Sequence, residues 1–286
     1  MKTGLLCEGG GQLGMFGVGV LQAFYDHGIR FDVNVGVSAG AANLASHLAG
    51  HRNRTVRFYN EYCRHFRYMG VGALLHAGSM VDLEYVYGEL TNVIDPINYD
   101  KLLALKEELY FTATDALTGE PVYFDARDCL RNRSCEALMA SSCLPVYCRP
   151  VFIDGRAYFD GGVSDSLPVR FLTEKQSCGF VAAILNRPKG YRKEPQHGQA
   201  LYTKLLRRYP QTAAALARRH ENYNASLSIL EHLEAEGKAF LIRPQEALPI
   251  TTFTRKPPER LETVRALGYE AGEAFCRQYK TADASS

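Results

Sequence analysis

Between Phe31 and Gly40 the chain reads Phe-Asp-Val-Asn-Val-Gly-Val-Ser-Ala-Gly. Apolar residues at 31, 33, 35 and 37 alternate as a β-strand requires, and the strand runs directly into Gly36-Val37-Ser38-Ala39-Gly40, a G-x-S-x-G sequence. A tight strand-to-helix turn pushes the central hydroxyl outward and leaves no room for bulk two residues to either side. Gly36 and Gly40 meet that demand, and the Ala- and Leu-rich stretch 41–49, stopped by Gly50, reads as the helix that follows. Ser38 is therefore a candidate nucleophile.

The flanking pattern extends this unit. Residues 4–7 are a short apolar run, read as a buried parallel strand, and end in Glu8-Gly9-Gly10-Gly11-Gln12-Leu13-Gly14. Phe16, Val20, Leu21 and Phe24 then recur at helical spacing up to Gly28. Two strand–helix units in succession predict an α/β fold with a parallel sheet and helices on both faces. Residues 53–99 are mixed and aromatic-rich, read as a helical excursion near the mouth of a site. Two hairpins follow: 109–114 with 121–124 around Thr118-Gly119, and 151–153 with 156–159 around Asp154-Gly155. The second delivers Asp160-Gly161-Gly162. Ser166 and Pro168 signal a helix through 176, and 179–185 is another buried strand. Residues 186–199 are rich in Pro, Gly and basic side chains, so they divide the chain into a domain at 1–186 and a smaller, mainly helical extension at 187–286. The extension reads as helices at 200–209, 212–236 and 257–279 and one strand at 239–242.

Charge and cysteine usage narrow the function classes. A net charge of +2 over 286 residues does not imply nucleic acid as a partner. The charge is uneven, however: from Arg187 to Arg219 there are nine Lys or Arg residues and one acid, Glu194, a basic segment suited to anionic lipid at a membrane surface or to a solvated helix face. Eight cysteines are scattered without C-x-x-C or Cys/His clusters, which predicts reduced thiols, no metal and no cofactor. The opening residues lack a signal-peptide pattern and no window has the length of apolar sequence that a membrane span needs, so the expected location is cytoplasmic, with peripheral membrane contact at most.

Chemistry centres on three motifs. Gly9-Gly10-Gly11-Gln12-Leu13-Gly14 departs from a dinucleotide fingerprint and lacks a P-loop Lys. Its amides suit an oxyanion hole beside Ser38, with a tight packing turn as the lesser alternative. A serine nucleophile needs a base, but the histidines at 27, 47, 51, 65, 76, 197, 220 and 232 all lie in contexts better read as structural or solvated. Among the carboxylates, Asp160 ends a hydrophobic hairpin strand and is followed by Gly161 and Gly162. It reads as a general base or, equally, as a turn aspartate.

Taken together and in this order, Glu8 to Gly14, Gly36-Val37-Ser38-Ala39-Gly40 and Asp160-Gly161-Gly162 resemble the bacterial patatin-like phospholipases. The stretch Ala140-Ser141-Ser142-Cys143-Leu144-Pro145, continuing through Pro150 and Tyr158 to Asp160, is similar to that family's approach to its aspartate. The resemblance spans about residues 3–186. It implies a three-layer α/β/α hydrolase with a mainly parallel sheet, a Ser38–Asp160 dyad, an oxyanion hole at Gly9, Gly10 and Gly11, and hydrolysis of fatty acyl esters of lipids. Gly14, Gly36, Gly40, Gly161 and Gly162 are the motif glycines. One departure is Leu13, where the family usually carries Arg or Lys. Two further readings keep the same fold: an acyltransferase using the same acyl-enzyme, and a non-catalytic lipid-binding protein.

Overall fold

A computed structural model describes residues 1–196, 198–252 and 257–283. Eight strands form one sheet: β1 (Thr3–Cys7), β2 (Val33–Val37), β3 (Glu108–Asp115), β4 (Pro121–Asp125), β5 (Val151–Ile153), β6 (Arg156–Asp160), β7 (Phe180–Ile184) and β8 (Ala239–Ile242). The order is β5-β6-β3-β2-β1-β7-β8, with β4 also paired to β3. β8, β7, β1, β2 and β3 run parallel, and β4, β5 and β6 enter antiparallel.

The central strands are apolar throughout because both faces are covered. Leu5 and Cys7 of β1, with Ala182 and Ile184 of β7, join one core with α1 (Met15–His27), α2 (Ala39–Leu48) and the helix Pro258–Asp283. Leu6, Val33, Val35, Val181 and Ala183 point the other way, into a core closed by Leu167, Leu172 and the helix Arg219–Ala235. The fold is thus a three-layer α/β/α sandwich.

The hairpins form where the turns predict them: Asp154 and Gly155 hold φ of 49° and 76°, the left-handed pair that a two-residue loop needs. Residues 53–99 are helical, as Arg54–Asn60, Val71–Ala77, a π-helical Glu84–Ile94 and Tyr99–Leu103. Two sequence expectations change. The helix at 166–176 shortens to a π-helical turn at Phe171–Lys175. The helix at 212–236 is broken at Arg218 into Pro210–Ala217 and Arg219–Ala235.

Residues beyond 186 build onto the same sheet. β8 pairs with β7, and the helix Pro258–Asp283 lies along α1, where a Cβ on Gly19 would fall 2.0 Å from Arg265 O and one on Gly268 2.0 Å from Phe16 O. That backbone contact brings Phe275, 1% exposed, against Phe24, Phe31 and Phe240. Among the described residues the eight cysteines form no disulfide. Among the described residues no helix is long and apolar enough to cross a membrane.

Candidate active site

Ser38 and Asp160 meet because two strands share one edge of β3. Tyr110, Phe111 and Thr112 pair with β2 and β4 at once, so β2 and β4 lie on opposite edges. Ala113 and Thr114 pair with β4 and β6, which puts β6 on the edge that β2 occupies further back. β2 reaches Val37 opposite Thr112 and turns off at Ser38, and antiparallel β6 arrives from the other direction with Asp160 opposite Ala113. The two carboxyl ends therefore abut. The turn that ends β2 is strained as the motif requires: Ser38 has φ 54° and ψ −124°. A Cβ on Gly36 would lie 2.5 Å from Ala41 Cα, and one on Gly40 2.2 Å from Cys7 O. The Ser38 amide donates to Ser141 Oγ at 2.9 Å, anchoring the turn to a neighbouring helix.

Asp160 is 2% exposed. Its amide donates to Cys143 O (2.8 Å), its carbonyl accepts from Thr114 Oγ1 (2.8 Å), and Oδ1 accepts from the Gly162 amide (2.7 Å). Oδ2 is buried without a fully formed hydrogen bond. Burial pushes the carboxyl above the usual carboxylate range, opposed by the Ser38 hydroxyl, the Arg219 guanidinium and the Gly162 amide. The Ser38 interaction is looser than a full hydrogen bond.

The glycine loop packs on this junction. A Cβ on Gly9 would lie 2.7 Å from Val37 O and 2.9 Å from Ser38 Cβ, while Gly10 and Gly11 take φ of 146° and 56°. Among the described residues, the amides of Gly9, Gly10 and Gly11 donate to no protein acceptor. The loop is held by what surrounds it. Asn186 donates from its amide to Glu8 Oε2 (2.6 Å) and from Nδ2 to Gly9 O (2.9 Å), Tyr223 donates to Glu8 Oε1 (3.1 Å), and the Gln12 amide donates to Thr252 O (3.1 Å). Gly14 lies against Tyr59, with a Cβ 2.6 Å from its hydroxyl, and one on Gly161 would meet Thr112 O at 2.2 Å. Leu13 is buried beside Gly10.

Ser38, Asp160 and the loop line one cavity of about 240 Å³. One part of its wall is apolar and comes from the 53–99 excursion, with Phe58, Met69, Leu83, Val86 and Leu90. Another part is cationic: Arg187, Lys193 and Arg219. Asp160 lies within electrostatic reach of the Tyr87 phenol and of Arg219. No histidine among the described residues lines this space. His47 is buried near the end of α2 with its ring 6.3 Å from that of Tyr25, and it is pushed down to about 4 by desolvation and then Arg30. His197 lies outside the described residues.

The basic segment is split by the fold. Arg187, Lys193 and Arg219 enter the cavity, Arg192 pairs with Glu231 at 2.6 Å, and Lys189, Lys204, Arg207, Arg208 and Arg218 stay exposed on the surface. Sequence reasoning passed over Asn186 and Tyr223, took Ser141 only as part of the approach to Asp160, and took the three cavity cations only as members of the basic segment. Asn186 carried a signal, being the first polar residue after a buried parallel strand, where open α/β sheets place their ligand sites. Tyr223 carried none, because a helix far along the chain reaches the site only through tertiary packing, and the basic pattern around Arg219 did not say which of its cations would enter the site.

Comparison with known proteins agrees with this architecture. Residues 5–173 match the patatin-like phospholipase family, and residues 209–282 match a domain of unknown function, DUF6363. An uncharacterized protein of Escherichia coli K12, YjjU, is 26% identical over 280 residues, 96% of this chain and 77% of the relative. An uncharacterized NTE family protein of Mycobacterium tuberculosis is 25% identical over 187 residues, and the chain spans about half (49%) of its length. The crystal structure of VipD from Legionella pneumophila shares the fold at 14% identity, with a TM-score of 0.51 over 97% of this chain and 67% of that one. With the family pattern covering more than half of its length and the three-layer sheet beneath it, the chain belongs to the patatin-like phospholipase family.

Proposed function

We propose that the protein is a serine acyl hydrolase that cleaves fatty acyl esters of lipids, with Ser38 as nucleophile and Asp160 as general base. The observation that supports it most is the abutment of β2 and β6 on one edge of β3, which sets the strained Ser38 beside a buried carboxylate with an unsatisfied oxygen. Family membership supports lipid hydrolysis in general.

Each step follows from the groups present. Ser38 Oγ attacks the ester carbonyl as its proton passes to Asp160 Oδ2, and the carbonyl oxygen takes up negative charge against the free amides of the glycine loop. Collapse breaks the bond to the alcohol, which leaves with the proton from Asp160. Water, deprotonated by Asp160, then attacks the acyl-Ser38 carbon, releasing the fatty acid and returning the proton to Oγ. An ordinary carboxylate is a weak base toward a hydroxyl, and burial makes Asp160 a stronger one. The apolar wall accommodates the acyl chain.

Lipid reaches this cavity from a surface. Phe66, Val71, Leu74 and Leu75 are 65%, 67%, 49% and 77% exposed on the stretch that contributes Tyr68 and Met69 to the wall, so this face meets the lipid, assisted by the exposed cations of the 187–219 segment.

Treatment with a fluorophosphonate probe followed by peptide mass spectrometry tests the assignment. The adduct is expected on Ser38 and absent from Ser38→Ala. A folded parent protein that neither labels at Ser38 nor releases fatty acid from any ester lipid would overturn it.

A further inference from the structure

The cavity carries three cations that the acyl-transfer chemistry does not use. Arg187, Lys193 and Arg219 come from outside the catalytic motifs, yet they share the space with Ser38 and Asp160. Their placement is fixed by the fold. Lys193 is tied to the helix Arg219–Ala235 through its backbone, which donates to Asn224 Oδ1 (2.8 Å) and accepts from Asn224 Nδ2 (3.0 Å). Its ammonium lies 4.5 Å from the centre of the Tyr223 ring, and the Arg187 guanidinium 5.0 Å from that of Tyr191. Arg219 reaches to the residues after the aspartate: its Nη2 would lie 3.1 Å from a Cβ on Gly162.

Their charge is only partly balanced within the protein, through Glu8 and Asp160 at a distance. Among the described residues, none of the three forms an ion pair, and Arg219 Nε is buried without a hydrogen-bond partner. A fourth cation on the wall, Arg54, differs, since it donates to Asp95 O, Ser46 Oγ and Thr91 Oγ1. The cavity has two carboxyls, Glu8 and Asp160. Glu8 has its oxygens engaged by Asn186 and Tyr223 and is pushed toward its neutral form by burial. Crowding is visible in Lys193, which is pushed down to about 8 by desolvation and then Arg219. Three cations at close quarters in a partly desolvated pocket favour a multiply charged oxyanion, which an arginine fork and an ammonium bind by charge-assisted hydrogen bonds.

We infer that Arg187, Lys193 and Arg219 form a subsite for the phosphate of the substrate's headgroup, so that the extension selects phosphate-bearing lipids over uncharged acyl esters. This inference rests on the acyl hydrolase reading given above. It concerns which ester is chosen rather than how it is cleaved.

The test compares two lipids with the same acyl chains, dioleoyl phosphatidic acid and dioleoylglycerol, each in mixed micelles of one nonionic detergent. The readout is the ratio of their kcat/KM values in the parent, Arg187→Gln, Lys193→Gln, Arg187→Lys and Lys193→Arg. Each glutamine variant is expected to lower the ratio roughly ten-fold, the size of a lost charge-assisted hydrogen bond, mainly through KM for the phosphate-bearing lipid. The charge-conserving variants restore most of it. Equal losses on both lipids, or an unchanged ratio in variants that keep the parent Tm, overturn the subsite. A second arm follows the Tm shift induced by inorganic phosphate and by glycerol 3-phosphate, and it does not depend on turnover. Stabilisation of the parent that falls away in Lys193→Gln supports the subsite. Stabilisation that survives in both glutamine variants, or phosphate binding with no change in the substrate ratio, overturns the headgroup assignment. Loss of the Ser38 adduct in the parent, by contrast, defeats the hydrolase reading while the phosphate arm still reports on the cations.

Discussion

Once ionised, the Asp160 carboxylate carries its charge in a space nearly closed to water, supported by one amide at 2.7 Å, the Ser38 hydroxyl and the Arg219 guanidinium. Its folded pKa lies above the unfolded value. The associated stabilisation is therefore present at low pH and is lost as pH rises through the folded value, so ionising Asp160 destabilises the fold. Asp160→Asn should accordingly raise stability by roughly 0.5–2 kcal/mol in urea denaturation while hydrolysis falls by about 10²–10⁴-fold. A variant that loses stability along with activity would mean that the carboxylate serves the fold. The same shift sets the pH profile of the proposed reaction: its base must be ionised, so kcat/KM should rise with pH and its acid limb should have a midpoint above 3.8, the ordinary aspartate value. Ser141→Ala removes the acceptor of the Ser38 amide and should cost about 1 kcal/mol or more in transition-state stabilisation, seen as slower fluorophosphonate labelling.

The turn after β2 is the element on which the site depends, and its glycines are sterically required. Gly40→Ala would drive a methyl group to 2.2 Å from Cys7 O, a backbone atom that cannot move without shifting β1. A destabilisation of about 1–3 kcal/mol and loss of Ser38 labelling are expected, measured by urea denaturation and mass spectrometry. The helix Val71–Ala77 behaves in the opposite way. Leu75 is 77% exposed, so Leu75→Ser should leave Tm unchanged and lower sedimentation with neutral vesicles, while labelling by a soluble probe persists. Retained vesicle binding would move the lipid-facing surface elsewhere. Both elements were legible as local patterns, the first from its G-x-S-x-G spacing, the second only as an aromatic-rich helical stretch. The break at Arg218 was not legible, because continuous helical sequence on either side gave no stop signal.

Across the whole molecule, the extension and the catalytic motifs share one sheet and one core. Phe275→Ala should destabilise the protein by about 3–5 kcal/mol, because its ring lies 5.2 Å from that of Phe24 in α1 and 5.1 Å from that of Phe240 in β8. Unfolding is expected as a single transition by both circular dichroism and tyrosine fluorescence. Two resolved transitions would mean that the extension is a separate cooperative unit. Sequence alone determined the strand–turn–helix at Ser38, the order of the three motifs and the α/β class, because backbone sterics and hydrophobic alternation act over a few neighbouring residues. Tertiary structure decided what those motifs meet. The antiparallel return of β6 onto the edge vacated by β2 brings Asp160 to Ser38, and the packing of a distant helix brings Arg219 and Tyr223 to the same cavity, contacts between residues far apart in the chain that no local pattern encodes.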